Sequence, residues 1–274
     1  MGRVSYDLSD EVVIVTGAAR GVGRAIVRRF VEAGAKVLAA DREAEGLAQT
    51  VDSYGDEVLG VVADISSQSG TDAIVGGAVE RFGRLDVCVN NAAVAPHASL
   101  MEERVEVWDT VYGVNCRGTF LMTQAAGRVM IDQGNGGRII NFSSGVSKRG
   151  SAGAAAYASS RAATEAFTRV AAIELAPYDI LVNTVSPGLI DTQPKPLPPG
   201  MAAGLAKRIP TLPLARAGEA DEVANLVLWL ASDESSYVTG AVYSVDGGAG
   251  VGVRAKGEII DEDVRYDWVT GTQR

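Results

Sequence analysis

Residues Thr16-Gly17-Ala18-Ala19-Arg20-Gly21-Val22-Gly23 place three glycines where a short β-branched run, EVVIVTG, gives way to the helical pattern GVGRAIVRRFVEAGA. A bare G-x-G-x-x-G carries little information, but between a strand and a helix it describes a phosphate cradle. Gly17 permits the tight turn, Gly21 lets a pyrophosphate approach the backbone, and Gly23 lets helix and strand pack closely. The helix N-terminus then supplies N–H donors and the positive end of its dipole. Asp41 closes a second apolar run, KVLAAD, eighteen residues after Gly23. A carboxylate there accepts both hydroxyls of an adenosine ribose and repels a 2′-phosphate. Arg20 and Arg42 pull the other way, because a guanidinium binds phosphate well. Asp41, placed at the strand end, outweighs them, and the pattern favours NAD over NADP.

Such a cradle needs a scaffold of strands alternating with helices, and the chain has that rhythm. DEVLGVVAD, LDVCVNN, GRIINFSS, ILVNTVSPG and GAVYSVDGG follow the first two strands. Helical spacing fills the gaps in AIVGGAVERFG, from Val105 to Met130, in AAYASSRAATEAFTRVAAIELA and in DEVANLVLWLAS. Apolar runs separated by helices predict an α/β fold with a parallel, doubly wound, Rossmann-type sheet. No internal repeat or low-complexity linker divides residues 1–274, so a single domain is expected. Two stretches break the rhythm. Residues 188–217 hold most of the prolines, and a long connection of that kind is usually a binding loop or lid. The extension 249–274 is polar and weakly periodic but contains Tyr266 and Trp268. Large aromatics bury much area, so the extension is expected to dock on its own or a neighbouring subunit.

Composition excludes several classes. A hydrophobic fraction of 47% supports a substantial core and argues against disorder. A net charge of −9 argues against nucleic acid as a partner. No apolar run reaches the ~18 residues that a membrane span requires, and the N-terminal MGRVSYDLSD has no apolar signal stretch. Cys88 and Cys116 lie in apolar surroundings and read as buried free thiols, which fits a cytoplasmic location. His97 is the only histidine, which rules out most His-built metal sites and any His-based triad, so no metal is expected.

The spacing TGxxxGxG, together with Asn90-Asn91-Ala92-Ala93, Asn115, Ser144 and Tyr157, resembles the short-chain dehydrogenase/reductase family over residues 8 to 248. The resemblance implies a dinucleotide site and a catalytic site on one sheet, in a homodimer or homotetramer, acting on a small alcohol or ketone. It places Asp64, with Ile65 beside it, at the adenine. It lays Asn91, Ala92 and Ala93 along the cofactor, with alanine where the family has a final glycine. The PGxIxT segment matches Pro187, Gly188, Ile190 and Thr192, where the Ile190 backbone would hold the carboxamide and Thr192 the carboxamide or a phosphate. Ser144 would hold the substrate oxygen, with Ser143 as the less favoured alternative. Tyr157 would exchange the hydroxyl proton as hydride moves. Asn115 would interrupt the long helix and hold a water in the proton path.

Arg161 departs from the pattern, because the family has lysine four residues after the tyrosine. The lysine binds the nicotinamide ribose, supplies a cation beside the phenol and feeds a proton relay. A cation ~6 Å from a phenolate at an effective dielectric of ~20 contributes ~2.8 kcal/mol, so an arginine retains the charge and can donate to ribose hydroxyls. It does not readily release a proton, and its planar fork does not fit a site made for an ammonium. No other lysine is well placed, since Lys148 lies in the loop before Tyr157. The expected activity is NAD-dependent interconversion of a secondary alcohol and a ketone. The alternatives are a dinucleotide-binding protein without turnover and a related enzyme using the same groups for another step, such as isomerisation.

Overall fold

The computed structural model describes residues 4–52, 54–192, 196–197, 199–252, 266–267 and 272–273. Along the chain these form β1 (Val12–Thr16), α1 (Gly21–Glu32), β2 (Lys36–Asp41), α2 (Ala44–Val51), β3 (Val58–Val62), α3 (Gln68–Phe82) and β4 (Val87–Asn90). There follow α4 (Val105–Tyr112), a π-helical turn (Gly113–Gly118), α5 (Thr119–Gln133), β5 (Gly137–Phe142), α6 (Ala155–Leu175) and β6 (Ile180–Pro187). The chain continues through α7 (Pro199–Arg208), α8 (Ala220–Ala231), β7 (Val242–Val245), β8 (Tyr266–Asp267) and β9 (Thr272–Gln273).

Strands β1 to β7 make one parallel sheet in the order β3-β2-β1-β4-β5-β6-β7. Its two faces explain the apolar run in β1, where every residue is buried. Successive side chains of a strand point to opposite faces. Val13 and Val15 therefore join Ile26 and Phe30 of α1 and Val227 of α8 in one core. Val12 and Ile14 join Ile74 of α3 and Met122 and Met130 of α5 in the other. The helices α1 and α8 are further tied by an ion pair between Arg28 and Asp221.

The strand order reverses between β1 and β4. The chain leaves β1 toward β2 and β3, then returns to the other side. Their carboxyl ends form the crevice in which doubly wound sheets bind ligands. All seven sheet strands lie in the stretches their β-branched runs predict.

Three features were not predicted. α2 is a short helix held by its own cap, since the Glu43 side chain accepts from Glu45 N and Gly46 N. α7 forms inside the Pro-rich stretch, which is therefore not loop throughout. The helix expected from Val105 to Met130 runs on to Gln133, and the interruption that the resemblance implied at Asn115 takes the form of a π-turn, which the pattern did not specify. Of the extension, β8 and β9 pair antiparallel. Trp268, on which the docking expectation rests, lies outside the described residues, as does the Tyr266 side chain.

Both cysteines are free, and burial pushes the Cys88 thiol up to about 12. No helix among the described residues is long and apolar enough to cross a membrane.

Candidate active site

The carboxyl ends of β1 to β4 surround a cavity of about 570 Å³, a volume in the range of small-molecule sites. Gly17, Arg20, Gly21, Val22, Gly23, Asp41, Arg42, Asp64, Ile65, Asn91, Ala92, Ala93 and Thr192 all line it. Ala19, Ala40, Glu43, Ala63, Val94 and Val114 line it too, and none was singled out from the sequence. Most adjoin motif residues in the chain, so their place was within reach. Val114 lies on the π-turn, next to Asn115.

Backbone geometry makes this cradle. Gly17 has φ +70°, and a Cβ there would lie 2.7 Å from Ala92 Cα. A Cβ on Gly23 would lie 2.0 Å from the Gly17 carbonyl oxygen, so only glycine allows α1 this close to the turn. The Asn91 Nδ2 locks the loop after β4 onto the same turn by donating to Thr16 O at 2.9 Å and Gly17 O at 3.1 Å. No side chain caps α1, which leaves its first N–H groups facing the cavity. Asp41 is oriented by two backbone donors, Ala19 N to Oδ2 and Glu43 N to Oδ1, both at 3.0 Å. Thr192 is brought across from the segment after β6, and a Cβ on Gly21 would meet it at 3.2 Å.

The remaining predicted residues lie outside this lining. Pro187 ends β6, and Gly188 follows so close to the next strand's end that a Cβ would lie 2.6 Å from Asp246 Cα. Ile190 forms an isolated parallel bridge with Gly218.

Ser144 follows β5 in extended backbone, with φ −162° and ψ 153°. Ser143 is buried and its hydroxyl donates to Glu165 Oε1 at 2.6 Å, so the two adjacent serines have different surroundings. Tyr157 is in the first turn of α6. Arg161, one turn on, is 3% exposed. Its Nη1 donates to Phe142 O at 2.8 Å, and its guanidinium carbon lies 5.2 Å from the centre of the Tyr157 ring. Its Nε is buried without a partner among the described residues. Lys148 is exposed, and His97 is exposed beside Ala95 O.

Asn115 joins the two halves. Its Oδ1 accepts from Val94 N, and its Nδ2 donates to Val94 O and to Ser160 Oγ, each at 3.0 Å. Val94 lines the cavity, while Ser160 is on α6 beside Arg161. The π-turn re-aims the Asn115 carbonyl, which accepts from Thr119 Oγ1 at 2.8 Å and Thr164 Oγ1 at 3.3 Å. Gly118 in the same turn leaves room for Ile65, whose Cδ1 would lie 2.8 Å from a Cβ. π-turns inside helices are frequent at functional sites. Burial raises the Cys116 thiol above its ordinary value, and the Arg161 charge partly offsets that.

The comparisons with known proteins agree with this fold. A family model described as Enoyl-(Acyl carrier protein) reductase matches residues 17–250. A 3-oxoacyl-(acyl-carrier-protein) reductase of Thermotoga maritima is 40% identical over 251 residues, covering 88% of this chain and 98% of that protein. A trans-4-hydroxycyclohexanecarboxylate dehydrogenase of Sinomonas cyclohexanicum is 37% identical over 261 residues, 92% of this chain and 97% of that protein. The crystal structure of a 3-ketoacyl-(acyl-carrier-protein) reductase from Brucella melitensis complexed with NADH superposes with a TM-score of 0.83. It is 31% identical and covers 89% of this chain and 100% of that one. A crystal structure from Mycobacterium marinum, described as a short-chain type dehydrogenase/reductase, has a TM-score of 0.82 at 34% identity, over 88% of this chain and 96% of that one. With the Rossmann-type sheet, the glycine cradle and these relatives in agreement, the chain belongs to the short-chain dehydrogenase/reductase family of oxidoreductases.

Proposed function

We propose that this enzyme is an NAD-dependent dehydrogenase that interconverts a small secondary alcohol and its ketone. The single observation that carries the reading is the Asn115 linkage. It ties the wall of the dinucleotide cavity at Val94 to the helix that carries Tyr157. The cavity fits a nicotinamide dinucleotide: uncapped α1 N–H groups face the pyrophosphate position, and Asp41 is fixed at the end of β2 for ribose hydroxyls. When bound, the nicotinamide accepts or donates the hydride.

The protein's own groups handle the proton. Tyr157 takes the hydroxyl proton in oxidation and returns it in reduction, while Ser144 holds the substrate oxygen. Among the described residues neither hydroxyl has a hydrogen-bond partner in the protein. Asn115 keeps the π-turn in register and holds a water of the proton path. Arg161 takes the lysine's place as a fixed positive charge against the Tyr157 ring, and the guanidinium N–H groups not spent on Phe142 O are the donors left for a ribose hydroxyl. Arginine does not feed a relay, because it stays protonated.

Asp41 favours NAD over NADP against the pull of Arg20 and Arg42. The Ile190 backbone and Thr192, on the segment carried by Pro187 and Gly188, hold the carboxamide end. Phe120, Val170 and Ile173 are 43%, 52% and 76% exposed on α5 and α6, an apolar face suited to a homodimer or homotetramer. The free thiols fit a cytoplasmic location.

A panel of secondary alcohols with NAD and NADP tests the activity, and Tyr157→Phe must abolish whatever turnover is found. A second reading, a dinucleotide-binding protein without turnover, is favoured by one observation: the Arg161 Nη1 is engaged with the Phe142 carbonyl. No turnover on the panel, with NAD bound tightly, would select it.

A further inference from the structure

Glu165 has no part in the reaction just described, yet it is a carboxyl only 8% exposed, one turn beyond Arg161 on α6. Its Oε1 accepts from Ser143 Oγ at 2.6 Å and from Ser147 Oγ at 2.5 Å. Those distances are typical of hydroxyls donating to a carboxylate. The two serines bracket Ser144, and the turn is closed by Ser147 N donating to Ser144 O at 2.9 Å. Ser143 is fixed on its other side, since its N–H donates to Val185 O at 2.8 Å.

Packing does little to hold this turn. A Cβ built on Gly145 would meet nothing within 4 Å, and residues 144–147 are half-buried. A buried carboxyl is costly unless its bonds are made, and both partners recorded for Glu165 lie on the Ser144 segment. Neighbouring side chains on extended backbone point to opposite sides. Holding Ser143 toward α6 therefore turns Ser144 away from that contact.

We propose that Glu165 is a positioning residue, which clamps the Ser144 turn to the Tyr157 helix through the hydroxyls of Ser143 and Ser147. The proposal rests on the assignment of Ser144 and Tyr157 made above. It also gives the paired serines separate tasks: Ser143 is an anchor and Ser144 touches substrate.

Glu165→Ala removes the acceptor, whereas Glu165→Gln keeps an oxygen in its place. On an alcohol that the parent oxidises, kcat of Glu165→Ala should fall ~10–100-fold, the loss expected when a reacting group shifts by about 1 Å. KM and the NAD Kd should stay within ~3-fold, because alignment is lost and binding is not. Glu165→Gln should recover most of the rate. The double variant Ser143→Ala/Ser147→Ala should match Glu165→Ala, and combining all three should cost nothing more. The double variant also carries the test if Glu165→Ala fails to fold.

Parent kcat in Glu165→Ala, or in the double variant, overturns the clamp. So does a loss of NAD affinity and Tm that tracks the loss of kcat and is not rescued by glutamine, since Glu165 would then hold the fold. Ser144→Ala separates the two levels. If it keeps the parent rate, or the parent has no turnover, the active-site assignment itself fails. If it is inactive while Glu165→Ala is normal, only the clamp fails.

Discussion

The junction between β1 and α1 spans residues 17–20, and that between β5 and α6 spans residues 143–154. Both leave the carboxyl end of a central parallel strand, yet they are built differently. The first is a backbone device. Its requirement is the absence of Cβ atoms at Gly17 and Gly23. The second is a side-chain device. Glu165 reaches Ser143 and Ser147, Arg161 reaches Phe142 O, and Asn115 reaches Ser160 from the π-turn. A backbone site tolerates changes in the residues between its glycines. A side-chain site is altered whenever one member changes length or charge, as at Arg161.

The largest expected effect breaks the two devices apart. Tyr157→Phe should lower kcat by ~10³-fold or more, at the upper end of what a general acid/base contributes, with the NAD Kd nearly unchanged. Gly23→Ala forces a Cβ to within 2.0 Å of a carbonyl oxygen. It should weaken NAD binding by ~100-fold or prevent folding, through backbone displacement. Calorimetric titration beside steady-state kinetics checks both. A Gly23→Ala protein that binds NAD like the parent would dissolve the distinction.

Arg161 comes next. Arg161→Ala removes the cation beside Tyr157 and should cut kcat/KM ~10–100-fold, a loss of ~1.4–2.7 kcal/mol. It also leaves the buried Phe142 carbonyl without its donor, which should lower stability by ~1–3 kcal/mol. Arg161→Lys returns a compact cation able to relay protons and should keep or raise the rate. Rate profiles against pH for the three proteins decide the matter. An Arg161→Ala enzyme with the parent's rate and profile would sink the assigned role. Gain of turnover in Arg161→Lys from a silent parent would favour the binder.

Cofactor choice sharpens the backbone side. NAD should bind at least ~10-fold tighter than NADP, equivalent to ~1.4 kcal/mol, and Asp41→Ala should narrow the gap. Equal affinities in the parent would mean that Arg20 and Arg42 outweigh the carboxylate.

The smallest effect concerns the segment before α8. Glu222 is held down to about 2, first by the Arg216 guanidinium and then by the Glu219 N–H. A lowered carboxylate stabilises the folded state above its unfolded value of ~4.3. That stability is lost as pH falls from there through about 2. The pair is solvent-exposed, with Glu222 at 38%, so its contribution is ~0.5–1 kcal/mol. Urea unfolding of Glu222→Gln and parent should differ at pH 7 and converge toward pH 2. A constant difference across that range would show that the carboxylate charge is not what holds the segment.

The local devices were legible in the chain. β-branched runs interrupted by helical spacing specify strands and helices because side-chain burial repeats every two or ~3.6 residues. The glycines of the first turn are legible for the same local reason, as is Asp41 at the end of β2; Asp64, Asn91 and Ala92, which line the same cavity, came from the resemblance. The resemblance supplied Ser144, Tyr157 and Asn115, but not what surrounds them. α7 was hidden by the prolines around it. The resemblance implied a break at Asn115 but not its form, because a continuous helical pattern does not reveal one extra residue per turn.

Tertiary structure alone decided which of two adjacent serines faces Glu165, a partner 22 residues away, and what Asn115 binds 21 and 45 residues away. It alone put the Arg161 guanidinium against Phe142 O and the Tyr157 ring. Backbone conformation is governed by neighbours in sequence, so it can be inferred from them. A buried polar side chain takes whichever partner the packed strands and helices bring within ~3 Å, and that partner is set by the assembled sheet.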